Sequence, residues 1–296
     1  MLSFRPITLK DRDWINAYLR KKNYYSAKYS FAYNWIYAAI YPTFCCEEDG
    51  FLYLKYNFNG QPDYPVYLCP VGEGDLTEAV RKLMYHCQME LMPFHLFGIS
   101  IQDQAILAQA FPQMIFKTYR DTYDYIYSRE ALANLSGKKY HSKRNHIARF
   151  KDAEWEYRPM TSADIPECVR MHRQWEEQQR QYYDDSMLED NRGTLRALRD
   201  FDALGLHGGM LYREGRLVAY TIGEPLTTDT FVVHFEKAFP DVQGAYPTIN
   251  QEFVLHDMAD FVYINREEDT GDEGLRKAKL SYRPEIILQD YEATLA

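Results

Sequence analysis

The sequence predicts a mixed α/β protein of two related halves, and three observations predict it. The octapeptide FRPITLKD (Phe4–Asp11) returns as YRPMTSAD (Tyr157–Asp164), displaced by about half of the 296-residue chain. In both halves, short β-type runs bounded by Gly, Pro, Asn and Asp alternate with helix-period segments. A block with no acidic residue, LSGKKYHSKRNHIARFK (Leu135–Lys151), lies near the midpoint, where a connection between halves belongs.

Each octapeptide reads as a short strand and then a Thr-x-x-Asp helix start, because a Thr side chain can satisfy the open N–H groups of a first turn. The helices that follow are DRDWINAYLRKKN and IPECVRMHRQWEEQQRQ. Half one continues with strands FLYLKYNF and YPVYLCPV, helix DLTEAVRKLMYHCQMEL, strand FHLFGIS, helix QDQAILAQAF and strand YDYIYS. Half two continues with helix TLRALRDFDAL, strands HGGMLYR, RLVAYTIGEPL and DTFVVHFEKAF, helix PTINQEFVLHDMA, strand FVYINRE, helix DEGLRKAKLSY and strand EIILQDYEA. Hairpins early and helix crossovers late give sheets partly antiparallel and partly parallel. The expected divisions are a first domain over 1–134, a basic linker helix over 135–152 and a second domain over 153–296.

Composition excludes several classes. At 46% apolar and 16% aromatic the chain has ample surface to bury, and the net charge of −9 argues against a general nucleic-acid coat. The five cysteines show neither CxxC nor Cys/His ligand spacing, which fits a reduced, cytoplasmic setting. The histidines are scattered, so no metal site is expected. The uncharged run Tyr29–Cys46 contains Pro42 and several Tyr and does not read as a transmembrane segment; its aromatic stretch Tyr29–Phe44 reads as core, with a pocket for a hydrophobic ligand as the alternative.

Two segments carry charge in patterns suited to ligands. In the basic block, Lys138, Lys139, Lys143, Arg144 and Asn145 are the candidates for binding an anion, with Lys138, Ser142, Asn145 and Arg149 on one helical face and Asn134 or Ser136 as its cap. A solvated connecting helix is the competing interpretation, although no Glu or Asp is interspersed as i,i+4 partner. In NREEDTGDEGLRKAKLSY, Asn265, Glu267 and Asp269 alternate to one side of a strand end, and Arg276 and Lys279 share a helix face. Either the two bases face a cleft and bind substrate phosphate or carboxylate, oriented by the acids, or acids and bases satisfy one another in a buried network.

The order of elements resembles the N-acetyltransferase superfamily (GNAT) fold given twice. It is most similar to the bacterial tandem-GNAT family related to the C-terminal domain of phosphatidylglycerol lysyltransferase. The resemblance is carried by YDYIYSREALANLSGKKYHSKRNHIARF, NREEDTGDEGLRKAKLSYRPE and, between them, HFEKAF and GAYPTINQEF, and covers nearly the whole chain. It implies transfer of an acyl or aminoacyl group to an amine or hydroxyl. Acyl-CoA or aminoacyl-tRNA would be the donor, and a small molecule, peptide or lipid headgroup the acceptor. It implies Glu236 as general base, on the strand before the cofactor loop, and Tyr282 as general acid; a paired Glu236 and a packed Tyr282 are the structural alternatives. Gly244, Ala245 and Thr248 fall where the superfamily cradles the pyrophosphate of coenzyme A. The usual Gln/Arg-x-x-Gly-x-Gly/Ala pattern is replaced by Gln243-Gly244-Ala245-Tyr246-Pro247, whose bulk obstructs close backbone approach. The rival account is a non-catalytic module for an anionic metabolite or RNA end on a degenerate GNAT fold.

Overall fold

The computed structural model describes residues 1–58, 63–180 and 185–295. The elements up to the basic block are β1 (Arg5–Pro6), α1 (Arg12–Lys22), α2 (Phe31–Tyr37), β2 (Thr43–Glu48), β3 (Phe51–Asn57), β4 (Pro65–Leu68), β5 (Val71–Gly72), α3 (Leu76–Met89), β6 (His95–Ile99), α4 (Ile101–Ala110), β7 (Met114–Lys117), β8 (Asp124–Ser128) and α5 (Arg129–Asn134). Then come α6 (His141–Lys151), β9 (Trp155–Pro159), α7 (Ile165–Gln179), α8 (Asp185–Arg199), α9 (Phe201–Leu204), β10 (His207–Arg213), β11 (Arg216–Pro225), β12 (Thr230–Ala238), α10 (Ala245–Asp257), β13 (Tyr263–Asn265), α11 (Glu273–Leu280), β14 (Ile286–Leu288) and β15 (Tyr291–Leu295). The helix expected over IPECVRMHRQWEEQQRQ is present as α7; its last residue, 181, lies outside the described residues.

The octapeptides fold alike. Asp11 accepts from the N–H and hydroxyl of Thr8 at 2.7 and 2.8 Å, and Asp164 does the same for Thr161 at 2.9 and 2.7 Å. Each closes a 3₁₀ turn that leads into a helix. Their surroundings differ: Asp11 is buried and also takes Arg5 and Trp14, which hold its carboxyl far below the usual range, whereas Asp164 is only half-buried.

Two sheets form among the described residues. One is ordered β1-β2-β3-β4-β6-β15-β7, with β5 also on β3; the other is β14-β8-β13-β12-β11-β10-β9. Most pairs are antiparallel, and each sheet contains a parallel pair, β4 with β6 and β12 with β13. The expected mixed sheets are therefore present, but the divisions are not those expected from the repeat. YDYIYS was expected to close the first half. It forms β8 and pairs with β13, Ser128 opposite Tyr263 and Ile126 opposite Asn265. EIILQDYEA was expected as one strand. It breaks at Gln289-Asp290 into β14, beside β8, and β15, between β6 and β7. The compact units are thus 1–124 with 288–296, and 125–287, so the basic block belongs wholly to the second. Alternation of apolar residues fixes which face a strand buries and says nothing about which sheet it joins.

In the first unit the returning strand is tied down by charge. Asp290, at the break, pairs with buried Lys28 at 2.8 Å, and Asp124 accepts the N–H of Ala27 at 2.8 Å. In the second unit Tyr125, Tyr127, Phe231, Phe253, Val254 and Ile264 build a core in which each fully buried large side chain is worth about 1.5–3 kcal/mol. The register of β11 on β12 slips at Gly223, where a Cβ would lie 2.2 Å from the Val232 carbonyl oxygen, so the bulge depends on glycine.

Candidate functional site

The second unit gathers its charges along β12 and the segment after β13. Glu236 on β12 points one oxygen at Arg266 Nη2 and the other at Asn250 Nδ2 of α10, each at 3.0 Å. Both members of the ion pair are nearly buried, their side chains 11% and 13% exposed. Burial works against the Arg266 charge, and Glu236 with Tyr127 and Tyr282 more than offsets it, so the guanidinium stays cationic. Its Nη1 is buried without a hydrogen-bond partner among the described residues. Such a donor is costly to leave unused.

Lys143, on α6, completes the group. Its ammonium lies 3.9 Å from the centroid of the Tyr282 ring, and Arg266 Cζ lies 4.9 Å from the same centroid. Burial and the Arg266 charge pull the Lys143 amine down to about 8, and Glu236 compensates in part. Lys143 also lines a cavity of about 360 Å³ together with His146 and the loop from Pro240 to Pro247. Tyr282 therefore supplies a ring for two cations. Its hydroxyl is raised well above the ordinary phenol range by burial, which makes the expected general-acid role a poor match.

The segment after β13 is clamped from below. Asn265, Glu267 and Asp269 are buried in alternation, as expected, although the strand itself ends at Asn265. Asn265 accepts the N–H of Glu267 at 2.6 Å. Asp269 takes a two-pronged bond from Arg276, at 2.8 and 2.7 Å, and another from Tyr125. Burial alone would raise the Asp269 carboxyl; the Arg276 fork and Tyr125 hold it down at about 2. Lys279 is buried and donates to the carbonyls of Arg266 at 2.6 Å, Glu267 at 3.1 Å and Glu268. The expectation that Arg276 and Lys279 both face a cleft gives way to the internal network: Lys279 is spent on backbone carbonyls and Arg276 on Asp269. Behind them, buried His234 sits between Glu267 at 2.7 Å and Glu224 at 3.2 Å. Burial pulls its imidazole down, but the two carboxylates outweigh this and raise it to about 9.

The residues at the expected coenzyme A loop serve the fold. Gly244 adopts φ +86° at the start of α10, and a Cβ there would lie 2.2 Å from the carbonyl oxygen of His146 on α6. The Ala245 N–H bonds to Val242 O at 3.1 Å, the Thr248 hydroxyl to Gly244 O at 2.7 Å, and Pro247 has no N–H. A pyrophosphate cradle needs free N–H groups at a helix start, and here most are used or missing while a carbonyl faces the turn.

The rest of the basic block divides between structure and surface. Arg144 donates to the carbonyls of Leu135 and Gly137 and so closes the end of α5. Asn145 bonds to His141, one turn earlier, at 3.1 Å. Lys138 and Lys139 are exposed in a 3₁₀ turn before α6, not within it, and Tyr140, not Asn134 or Ser136, stands at the helix start. Arg266 and Asn250 were not singled out from sequence. The signal for Arg266 was available: placing Asn265 and Glu267 on one face puts it on the other.

Two mixed α/β sheets, with a parallel strand–helix–strand crossover in each, define a protein with an α/β fold in two sheets of similar plan. More narrowly, the chain belongs to the phosphatidylglycerol lysyltransferase C-terminal domain family, whose profile matches residues 20–294. A conserved protein of unknown function from Bacteroides thetaiotaomicron VPI-5482 is 40% identical, with a TM-score of 0.95 and 100% of each chain covered. The structure of L-PGS from Bacillus licheniformis shares the fold at 13% identity and a TM-score of 0.66, covering 96% of this chain and 92% of that one. A tandem GNAT protein from the clavulanic acid biosynthesis pathway aligns over 99% of this chain and 98% of its own, at 8% identity and a TM-score of 0.51. No curated protein matches the chain. No helix among the described residues is long and apolar enough to cross a membrane.

Proposed function

We propose that the protein transfers an acyl or aminoacyl group from an activated ester to an amine or hydroxyl, at the cluster of Lys143, Glu236, Arg266 and Tyr282. The carrying observation is the desolvated Lys143 amine at a cavity wall, backed by the Glu236–Arg266 pair. A site of this kind offers positive charge for a developing oxyanion and a group able to exchange a proton near neutral pH. Membership of a lysyltransferase family supports this class of reaction.

The donor the geometry favours is aminoacyl-tRNA, because the start of α10 offers few N–H groups to a coenzyme A pyrophosphate. Exposed Lys138 and Lys139 suit contact with the RNA backbone. The nucleophile attacks the ester carbonyl carbon, the carbon–oxygen bond to the ribose breaks, and the proton lost by the nucleophile ends on the ribose oxygen. The acceptor is a lipid headgroup, peptide or small molecule bearing that amine or hydroxyl.

The test is a transfer assay with radiolabelled aminoacyl-tRNAs and, separately, acetyl-coenzyme A, each with phosphatidylglycerol vesicles and a panel of amines. The expected result is label leaving tRNA in a protein-dependent way and a roughly 100-fold loss in Glu236→Gln. Turnover of acetyl-coenzyme A would overturn the donor assignment. Binding of tRNA without turnover, unchanged in Glu236→Gln, would make recognition alone the function.

A further inference from the structure

We infer that Lys143, in place of Glu236, is the group that takes the proton from the attacking nucleophile; the inference rests on the transferase reading and adds a residue role to it. Three features of the geometry carry it. Lys143 lines the cavity at the start of α10, alongside His146, Gln243 and Tyr246, whereas Glu236 is not among the residues lining it. Both Glu236 oxygens already accept hydrogen bonds, from Arg266 and Asn250, and a proton placed on that carboxylate would leave Arg266 without its counter-charge. The Lys143 ammonium lies over the Tyr282 ring, and no carboxylate is within ion-pair distance of it among the described residues.

The groups around Lys143 explain why its amine gives up a proton easily. Arg266, after β13, repels the ammonium, and Glu236 on β12 partly compensates. Tyr282, after α11, turns its ring face to the ammonium and keeps its hydroxyl protonated through burial, and His146 on the same helix and Asp241 in the loop share the cavity wall. Burial is the largest influence, and the resulting value of about 8 leaves a substantial neutral fraction at neutral pH. A lysine at a binding surface gains nothing from losing its charge, but a proton acceptor requires it.

The step balances without further components. The neutral Nζ accepts the proton that the acceptor's neutral amine or hydroxyl loses as its nitrogen or oxygen bonds to the ester carbonyl carbon. When the carbon–oxygen bond to the ribose breaks, the Lys143 ammonium returns that proton to the ribose oxygen, and the amine is regenerated. Glu236 is then a positioning residue that holds Arg266, whose unused Nη1 remains a donor.

Two measurements test the inference. The first needs no substrate: competitive labelling with acetic anhydride from pH 6 to 11, read by mass spectrometry at Lys143. Half-maximal labelling near pH 8 is expected, and labelling at the pH of an ordinary lysine overturns the inference whatever the transfer assay gives. The second compares Lys143→Arg and Lys143→Met in transfer from aminoacyl-tRNA. Arginine keeps the charge and cannot release its proton, so both variants should lose at least about 100-fold. Their tRNA affinity should persist, and the rise of kcat/KM with pH near 8 should disappear. An active Lys143→Arg would show that the charge alone matters and overturn the inference. If the wild type transfers no group from any donor, the transferase reading fails and takes the proton-acceptor role of Lys143 with it, whereas ordinary labelling in an enzyme that does transfer overturns the inference alone.

Discussion

The molecule builds a parallel strand–helix–strand crossover twice and fills the two with opposite chemistry. In the first unit, β4 and β6 pair around Tyr67, Leu68 and Leu96, all buried, and α3 crosses between them. In the second, β12 and β13 pair around Phe231 and Val232, but further along β12 stand His234, Glu236 and Lys237. The crossover helices begin differently as well. Asp75 caps α3 by accepting the Thr77 N–H at 2.8 Å, while α10 begins at an uncapped Gly244 pressed against α6. Apolar packing suffices to hold such a crossover, as the first unit demonstrates. The charges of the second are therefore surplus to its fold, and buried charge is expensive unless paired.

The largest effect follows from that cost. Arg266→Met strands Glu236 in a nearly buried place and should destabilise the protein by about 3–5 kcal/mol, measured by urea unfolding. The double variant Arg266→Met with Glu236→Leu should recover most of the loss and bring the second crossover close to the chemistry of the first. If the double variant is no more stable than the single one, the pair does more than satisfy itself, and the comparison breaks.

A second difference is dependence on pH. On the parallel strands of the first unit the histidine is His95, partly exposed and paired with the single carboxylate of Glu292 at 2.7 Å, where His234 is buried between two. His234 is raised to about 9 from an unfolded value near 6.5, so the stability it adds is fully present below about pH 6.5 and is lost as pH rises through 9. The decline should amount to about 3 kcal/mol across that window. Unfolding of the wild type and His234→Gln at several pH values should show the slope in the first and a much flatter profile in the second. An equal slope in both would assign the dependence to other groups.

How much of this was legible in the sequence follows from what sequence patterns encode. The capped turns at Thr8 and Thr161 were legible because a Thr-x-x-Asp cap is local. Glu236 and Lys143 were singled out from family likeness and charge. Their meeting over Tyr282 was not legible, because it joins α6, β12 and the end of α11. Arg266 escaped notice amid the acids of NREEDTGDE, and its partner is thirty residues away. The crossing of the two closing strands was hidden for a related reason. EIILQDYEA alternates well enough to pass as one strand, and only the Gln289-Asp290 break, with Lys28 waiting for Asp290, sends the chain to the other sheet.

The smallest effects lie at the two helix starts and separate what each is for. Gly244→Ala forces a left-handed backbone on a residue with a Cβ and drives that carbon at the His146 carbonyl, so a loss of about 2 kcal/mol in urea unfolding is expected. Asp75→Ala removes a single exposed cap and should lower the unfolding midpoint by clearly less. Their order matters more than their sizes. A cap of the Asp75 type fills a helix start with the protein's own carboxylate and so excludes an outside anion, whereas a glycine start of the α10 type is open to one unless another part of the chain closes it. At α10 the closing group is the His146 carbonyl. If Asp75→Ala proves the costlier of the two, α6 does not press on α10 in solution, and the start of α10 regains the space that coenzyme A binding would need.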